Sequence, residues 1–378
     1  MSYKFESLYK YFDFKDVLII PKSSTLNSRS EVDLHRTITF NNGKTWTGIP
    51  IVAANMTTIG TLDMYKVLSK NKIITALHKF HTLENLLEYN KNNPETPLDP
   101  DYFMISTGIG DKDFENLQNI LDNFDCMFIC IDVANGYISK FKEFCKKVRA
   151  QYKDKVILAG NVSTRAGVNE LINMGMDIIK TGIGGGSACT TRIQTGIGMP
   201  QLSCLIEAAD ECYNCNACCK KCNLCEKCET YGNCENYNYN SYILCDGGIT
   251  CPGDLGKAFG AGADFIMIGG EFSGHDENPG KLIEDEKTGE KYKFFYGMSS
   301  GYAMENNYAA NNNTSYRSSE GREIKIKYKG SLQKTVDNYL GGLRSTCTYT
   351  NSENISKLEE NCKFILVNNQ YNSNLLEK

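Results

Sequence analysis

The sequence lacks any long apolar run. Nowhere do about 20 apolar residues follow one another, which is the length that a helix needs to cross a bilayer. Charged residues also interrupt the apolar ones of residues 1–20, so no signal-peptide core is present. A strong excess of one charge is missing as well, because 45 acidic residues nearly balance 41 basic ones. We therefore expect a cytoplasmic protein that binds neither membranes nor nucleic acids.

Cysteine, by contrast, is abundant, with 17 residues. In a small secreted domain this number would indicate a disulfide framework, but the chain has 378 residues and lacks a signal-peptide core. We expect the cysteines to remain thiols, to bind metal or to take part in catalysis.

Eight short apolar runs, each ending in small or polar residues, divide the chain. Runs that are apolar on both faces are typical of parallel strands covered by helices. Eight such units favour an α/β fold of the closed (β/α)8 type, a TIM barrel, with residues 1–378 as a single domain. The runs cover residues 50–56, 72–79, 101–109, 127–135, 155–162, 177–184, 242–248 and 264–270. Helical spacing is clearest over 164–176 and 252–263.

Polar or flexible residues follow the ends of these runs, where barrel enzymes place their active sites. Singly, each is better explained as a loop residue that bonds its own backbone, but together they indicate a site. They are Asn55, Lys79, Asp132, Asn135, Asn161, Gly184 and Asp246.

Two segments interrupt the regular pattern. A cysteine-rich insertion covers residues 212–241, and a stretch rich in Gly, Ser and Asn covers most of residues 297–330. Long irregular segments over a barrel mouth are usually functional, so we predict that 297–330 forms a mobile active-site flap.

The segment GIGGGSACTTR at residues 182–192 places Cys189 in a turn dense with glycine. Glycines let backbone amides approach a ligand closely, and a cysteine among such amides is a candidate nucleophile. The alternative is a small buried cysteine. The spacing does not fit a Rossmann dinucleotide turn. Asp246-Gly247-Gly248 and Gly269-Gly270 end the last two predicted strands, where barrels commonly bind phosphate and where an aspartate can hold ribose hydroxyls.

A series of longer strings resembles the GMP reductases, which belong with the IMP dehydrogenases to one superfamily of barrels. In order, they include DFKDVLIIPK, NSRSEVDL, PIVAANM, ALHK, DVANGY, AGNV, GGSACTTR, GIGMPQLS, FYGMSS and RSTCTY. The resemblance extends from about Phe12 to Val367 apart from the cysteine-rich segment. Thr-Thr-Arg after Cys189, the pair Tyr316-Arg317 and the short interval between the second and third strands are features of the reductases.

This resemblance implies an NADPH-dependent reductive deamination of GMP to IMP and ammonia through a covalent thioimidate on Cys189. Thr191 and Glu320 match the family's proton relay. Ammonia leaves poorly unless it is protonated, so such a relay is needed. Because Glu320 lies in the predicted flap, we expect catalysis to depend on flap closure.

The resemblance also implies the ligand contacts, some of them from a neighbouring subunit of a homotetramer. GMP is expected to contact Ser187, Asp246, Gly247, Gly248, Gly269, Gly270, Tyr296, Gly297, Met298, Ser299, Arg317, Ser318, Ser319 and Gly321. NADPH is expected to contact Ser28, Arg29, Lys79, Asp132, Val133, Ala134, Ile183, Gly184, Met298, Tyr316, Ser345, Thr346, Cys347 and Thr348. A potassium site is expected at Gly184, Gly186, Cys189 and Arg192.

The cysteine-rich segment departs from the family. Repeated CxxC spacing is typical of thiolate metal sites, and eight sulfurs are enough for two tetrahedral zinc ions. An iron–sulfur cluster and an unstructured, cysteine-biased insertion remain as alternatives. The candidate ligands are Cys212, Cys215, Cys218, Cys219, Cys222, Cys225, Cys228 and Cys234.

Two other functions stay open at this point. One is an IMP dehydrogenase without its regulatory module, and the other is a nucleotide-binding or metal-sensing barrel that has lost turnover.

Overall fold

Eight parallel strands form a closed barrel in the computed structural model, which describes residues 10–221, 240–298 and 320–367, with side chains to residue 215 in the first range. In chain order the barrel strands are β4 (Ile51–Ala53), β5 (Ile74–Leu77), β6 (Phe103–Thr107), β7 (Phe128–Asp132), β8 (Val156–Val162), β9 (Ile178–Thr181), β10 (Tyr242–Asp246) and β11 (Phe265–Ile268). The barrel closes where β11 pairs with β4. The predicted TIM barrel is confirmed, and each of the eight apolar runs contains one barrel strand.

The main helices follow the strands in sequence. They are α1 (Leu62–Leu68), α2 (Leu83–Asn92), α3 (Asp111–Asn123), α4 (Ser139–Gln151), α5 (Arg165–Asn173), α6 (Thr191–Thr195), α7 (Gln201–Lys221), α8 (Pro252–Gly260), α9 (Leu332–Tyr349) and α10 (Leu358–Asn361). Local signals set several of their ends. The Thr164 hydroxyl accepts a hydrogen bond from the Gly167 amide at the start of α5, and Pro252 opens α8.

Smaller sheets flank the barrel. Strands β1 (Val17–Ile19) and β15 (Phe364–Leu366) pair with each other, as do β2 (Arg36–Thr39) and β3 (Thr45–Gly48). A third sheet contains β12 (Ile283–Glu284), β13 (Lys291–Tyr296) and β14 (Glu323–Lys327), all antiparallel. Strand β14 lies inside the predicted flap of 297–330, so the last part of that segment is anchored to β13.

The barrel strands are buried along almost their whole length, which explains their continuous apolar runs. All residues of β4, β5, β6, β8, β9 and β11 are buried. Within β9 the buried side chains include Lys180, whose charge the interior must balance. Among the described residues, none of the helices is both long and apolar enough to span a membrane.

The predicted cysteine-rich insertion begins inside helix α7. Residues 212–221 of the predicted insertion continue this helix. Cys212 is 4% exposed and donates to the Ser241 carbonyl at 3.0 Å, so it belongs to the packed core.

Candidate active site

An open cleft lies at the carboxyl ends of the barrel strands. The glycine-rich turn after β9 and the residues after β10 and β11 line it. About 1080 Å³ of space lies in this cleft, including the part open to solvent. A nucleotide-sized ligand fits such a volume. The site is therefore where parallel-barrel topology predicts it.

Backbone geometry explains the glycines of the turn. Gly182 has φ +132° and Gly184 has φ +85°, which are conformations that L side chains rarely adopt. A Cβ on Gly182 would also lie 2.3 Å from the Asp246 carbonyl oxygen. Because Gly182 has no side chain, the turn can lie close to the end of β10.

Three side chains form a hydrogen-bonded series in the cleft. The Cys189 thiol lies 3.1 Å from Thr191 Oγ1, and this hydroxyl donates to Glu320 Oε2 at 2.8 Å. Cys189 is partly exposed to the cleft. The structure thus joins the predicted nucleophile to the predicted proton relay.

Backbone hydrogen bonds fix Glu320 against the catalytic turn. The Thr190 amide donates to the Glu320 carbonyl at 2.8 Å, and the Arg322 amide donates to the Ala188 carbonyl at 3.0 Å. Cys189 and Gly321 therefore form an antiparallel bridge. The two residues of the predicted relay, Thr191 and Glu320, are therefore in contact in this structure.

The residues after β10 and β11 offer backbone amides and small residues beside the glycine-rich turn. Gly247 and Gly248 have φ values of +95° and +83°, and the Gly248 amide donates to the Gly185 carbonyl at 3.0 Å. A Cβ on Gly270 would lie 2.3 Å from Ser187 Oγ. These close approaches leave backbone rather than side chains facing the cleft, as a phosphate site requires.

A buried ion network forms the floor. The Lys180 ammonium contacts Asp132 Oδ1 at 2.9 Å, Asn161 Oδ1 at 2.9 Å and Asp246 Oδ2 at 2.6 Å. Burial alone would lower the pKa of Lys180, but the two carboxylates raise it above its ordinary value. Burial would likewise raise the pKa of Asp132, but Lys180 and the hydrogen bonds from Lys180 and Asn55 lower it. The lysine is therefore held in its charged form.

A second cleft adjoins the first across this network. Asp132, Asn161, Lys180 and Asp246 line both clefts. The second cleft also contains Lys79, whose ammonium lies 3.1 Å from Asp113 Oδ1. The first cleft suits a nucleotide. The adjoining cleft, which contains the Lys79 ammonium, suits a phosphorylated dinucleotide.

Most predicted substrate contacts surround the first cleft. Its lining includes Ser187, Asp246, Gly247, Gly248, Gly269, Gly270, Gly297, Met298 and Gly321. Tyr296 lies behind this lining, with its hydroxyl 3.4 Å from Thr57 Oγ1. Ser299, Arg317, Ser318 and Ser319 lie outside the described residues, as does Tyr316 of the cofactor set.

The predicted cofactor contacts fall into two groups. Lys79, Asp132, Val133 and Ala134 line the second cleft, and Ile183, Gly184 and Met298 line the first. Ser28 and Arg29 lie instead beside α9, which carries residues 345–348, and they line neither cleft. Cys347 is fully buried, so its thiol cannot reach a ligand.

The structure describes only some of the candidate metal ligands. Arg192 directs its guanidinium to Asp13 at 3.0 Å and to the Met199 carbonyl at 2.7 Å. Of the cysteine set, Cys215 lies 3.3 Å from Asn169 Nδ2. The side chains of Cys218, Cys219, Cys222, Cys225, Cys228 and Cys234 lie outside the described part of the chain. Residues whose side chains are described contain no group of three or more metal-ligating side chains.

Lys180 and Gln201 were not among the predicted site residues. Gln201 is fully buried and donates to the Thr181 carbonyl at 3.1 Å, behind the glycine turn. A lysine inside the apolar run DIIKTGIG was the available signal for Lys180, because a buried charge needs a partner. Gln201 had no comparable signal.

Comparison with known proteins agrees with this geometry. Residues 11–221 and 226–373 match the family described as IMP dehydrogenase / GMP reductase domain. The chain belongs to this family. It is 46% identical to human GMP reductase 1 over 363 residues, 96% of each chain. Human GMP reductase 2 is 46% identical over 362 residues, 95% of each chain, and GMP reductase of Yersinia pestis is 45% identical over 361 residues, again 95% of each. The family identified from the sequence motifs is confirmed.

Proposed function

We propose that the chain is a GMP reductase, which converts GMP and NADPH to IMP, ammonia and NADP in purine nucleotide interconversion. The observation that carries the proposal is the hydrogen-bonded series Cys189, Thr191 and Glu320 in the barrel-mouth cleft. The relatives described above are GMP reductases and span nearly the whole chain, so they support reduction over the IMP dehydrogenase alternative. The hydrogen-bonded contacts of Cys189, Thr191 and Glu320 support turnover over a barrel that has lost it.

The chemistry begins with the Cys189 thiolate, which attacks carbon 2 of the guanine ring. The bond between carbon 2 and the exocyclic nitrogen then breaks, and a proton supplied through Thr191 and Glu320 lets the nitrogen leave as ammonia. NADPH, held by the residues of the second cleft, would supply the hydride that carbon 2 accepts. The carbon–sulfur bond breaks, IMP leaves and the thiolate is restored.

The clefts suggest how the ligands lie. The GMP phosphate would bind the amides near Gly248 and Gly270, with the ribose at Asp246 and the base over Cys189. The cofactor would lie in the second cleft, with its 2'-phosphate toward the cationic Lys79, which favours NADPH over NADH. Ser28, Arg29 and residues 345–348 would serve a neighbouring subunit of a homotetramer in the cytosol.

The metal assignments are part of the proposal. Backbone carbonyls of Gly184, Gly186 and Cys189 are hard oxygen donors that suit potassium, and Arg192 would contribute through its backbone because Asp13 holds its guanidinium. Zinc is proposed for the cysteine-rich segment on the strength of its CxxC spacing.

The direct test uses purified protein under reducing conditions with potassium. GMP and NADPH should give IMP, ammonia and loss of absorbance of the reduced cofactor in equal amounts. Reduction of NAD with IMP, and no reaction with GMP, would instead establish the dehydrogenase. Binding of GMP without any oxidation of NADPH would establish the inactive barrel.

A further inference from the structure

Lys180 lies on the floor between the two clefts, where its ammonium makes three polar contacts. It lies near the end of β9, and its side chain is 5% exposed. Its ammonium has three protons, and three oxygens lie within 2.9 Å, on Asp132, Asn161 and Asp246. Asp132 and Asp246 end strands β7 and β10, and Asn161 lies in β8. One side chain therefore ties the ends of three other strands to β9.

The contacts to Asp246 leave one of its oxygens available. Lys180 Nζ and Asn161 Nδ2 both donate to Oδ2, at 2.6 and 2.7 Å. No described group donates to Oδ1, and the Asp246 side chain is 24% exposed at the first cleft. The carboxylate is thus held by one oxygen, and the other accepts no hydrogen bond from a described group.

Asp132 is held differently. Its Oδ1 accepts a hydrogen bond from Lys180 at 2.9 Å, and its Oδ2 accepts one from Asn55 at 3.0 Å. Without the lysine, this carboxylate and that of Asp246 would face one another across a buried floor, where like charges repel strongly. Lys180 therefore sets both the charge balance and the orientation of Asp246.

We propose that Lys180 is a positioning residue that holds the Asp246 carboxylate in the orientation that binds the ribose hydroxyls of the nucleotide. The inference rests on the proposed function, since it assumes a nucleoside monophosphate in the first cleft. Lys180 itself is not expected to contact the ligand. Through Asp246, however, it would let the protein distinguish ribose from deoxyribose. Loss of the lysine frees Asp246 to rotate, so the hydroxyl contacts weaken while the phosphate and base contacts remain.

The test compares Lys180→Met with the wild type in the full chain. Equilibrium binding by calorimetry is measured for GMP, 2'-deoxy-GMP and 3'-deoxy-GMP, together with KM and kcat for each. In the wild type we expect one deoxy nucleotide or both to bind on the order of tenfold or more weakly than GMP. In Lys180→Met the affinity for GMP should fall to that of the deoxy nucleotide, whose own affinity changes little.

Lys293→Met is the matched control, because Lys293 is also buried, at 7% exposure, and donates to the backbone carbonyls of Asp276 and Asn278. It should lower thermal stability without changing the ratio of GMP to deoxy-GMP binding. Equal losses for GMP and both deoxy nucleotides in Lys180→Met would show a merely structural role and overturn the inference. Wild-type protein that does not distinguish ribose would overturn it as well.

A folding failure of Lys180→Met does not end the test. The double variant Asp132→Asn/Lys180→Met removes the opposing carboxylate and should fold, and it should still bind GMP no better than the deoxy nucleotides. Retained discrimination in the double variant would refute the role of Lys180. Because binding is measured apart from turnover, failure of the proposed reaction would appear as absent NADPH oxidation in the wild type, a separate result.

Discussion

The Glu320 carboxylate accepts a hydrogen bond from the Thr191 hydroxyl at 2.8 Å, although 129 residues separate the two in sequence. Thr191 begins α6, directly after the catalytic turn, and Glu320 precedes β14. The relay therefore joins the barrel to the sheet formed by β13 and β14. Substitutions in either segment are expected to affect the same chemical step.

Cys189→Ala should abolish turnover and leave GMP binding nearly intact. The thiolate is the proposed nucleophile, so its removal should lower kcat on the order of 10³-fold or more. Rapid assays of NADPH oxidation measure kcat, and calorimetry measures GMP binding. A Cys189→Ala protein with normal kcat would rule out the covalent mechanism.

Glu320→Gln should slow ammonia release more than it weakens binding. Loss of a positioned acid and base lowers rates by about 10²- to 10⁴-fold. Single-turnover experiments that follow ammonia and NADPH separately would locate the slow step. Glu323→Gln is the matched control, since Glu323 is an exposed glutamate at the start of β14, and it should retain wild-type kcat. Equal effects of the two substitutions would argue against a relay through Glu320.

Gly182→Ala should destabilise the protein and distort the catalytic turn. A methyl group there would lie 2.3 Å from the Asp246 carbonyl and would require φ +132°, so a loss of about 2 kcal/mol in the free energy of unfolding is expected. The matched control is Gly253→Ala in α8, where the nearest atom to the new Cβ is 3.9 Å away. Urea denaturation compares the variants, and a stable, fully active Gly182→Ala protein would contradict this account.

The stacked pair His78 and His81 predicts loss of stability in acid. Their ring centroids are 4.0 Å apart, and burial lowers the pKa of His78 to about 3 and that of His81 to about 4. The unfolded chain therefore binds more protons between the ordinary histidine pKa of about 6.5 and these values, so stability falls as the pH falls through this window. Each histidine contributes a slope of about 1.4 kcal/mol per pH unit.

Urea denaturation between pH 4.5 and 7.5 measures that slope. His81→Gln removes one of three titrating rings, because burial also lowers the pKa of His275, and it should reduce the slope by about a third. An unchanged slope in His81→Gln would show that the pair does not govern acid stability.

Zinc in the cysteine-rich segment can be tested by elemental analysis of protein purified without chelators. The wild type should contain at least one zinc ion per chain, bound by thiols other than that of the core residue Cys212. A deletion of residues 222–236 should remove zinc while preserving α7 and the core position of Cys212. Absence of metal from wild-type protein would favour the unstructured insertion, and iron with labile sulfide would favour a cluster.

The barrel could be predicted because each of its strands is a nearly continuous apolar run. Helix α7 was not predicted, since its cysteine-rich second half resembled an insertion in composition. Strands β2, β3, β13 and β14 alternate between more buried and less buried residues. They are attached to the barrel rather than part of it. They therefore contain no continuous apolar run and were not predicted.

The site was only partly predictable for a different reason. Residues at strand ends, such as Asp132 and Asp246, follow from barrel topology alone. The contact between Thr191 and Glu320 depends on chain folding over a long interval and was indicated only by the family resemblance. Lys180 was missed because its role depends on three partners from three other strands.

The bridge between Cys189 and Gly321 has one further consequence for evolution of the enzyme. This bridge holds the neighbouring Glu320, the proposed proton donor, against the turn that contains Cys189. Residues 299–319 can therefore diverge in length and composition without displacing the Glu320 carboxylate. New nucleotide preferences could therefore arise in that interval while the bond-breaking machinery stays constant.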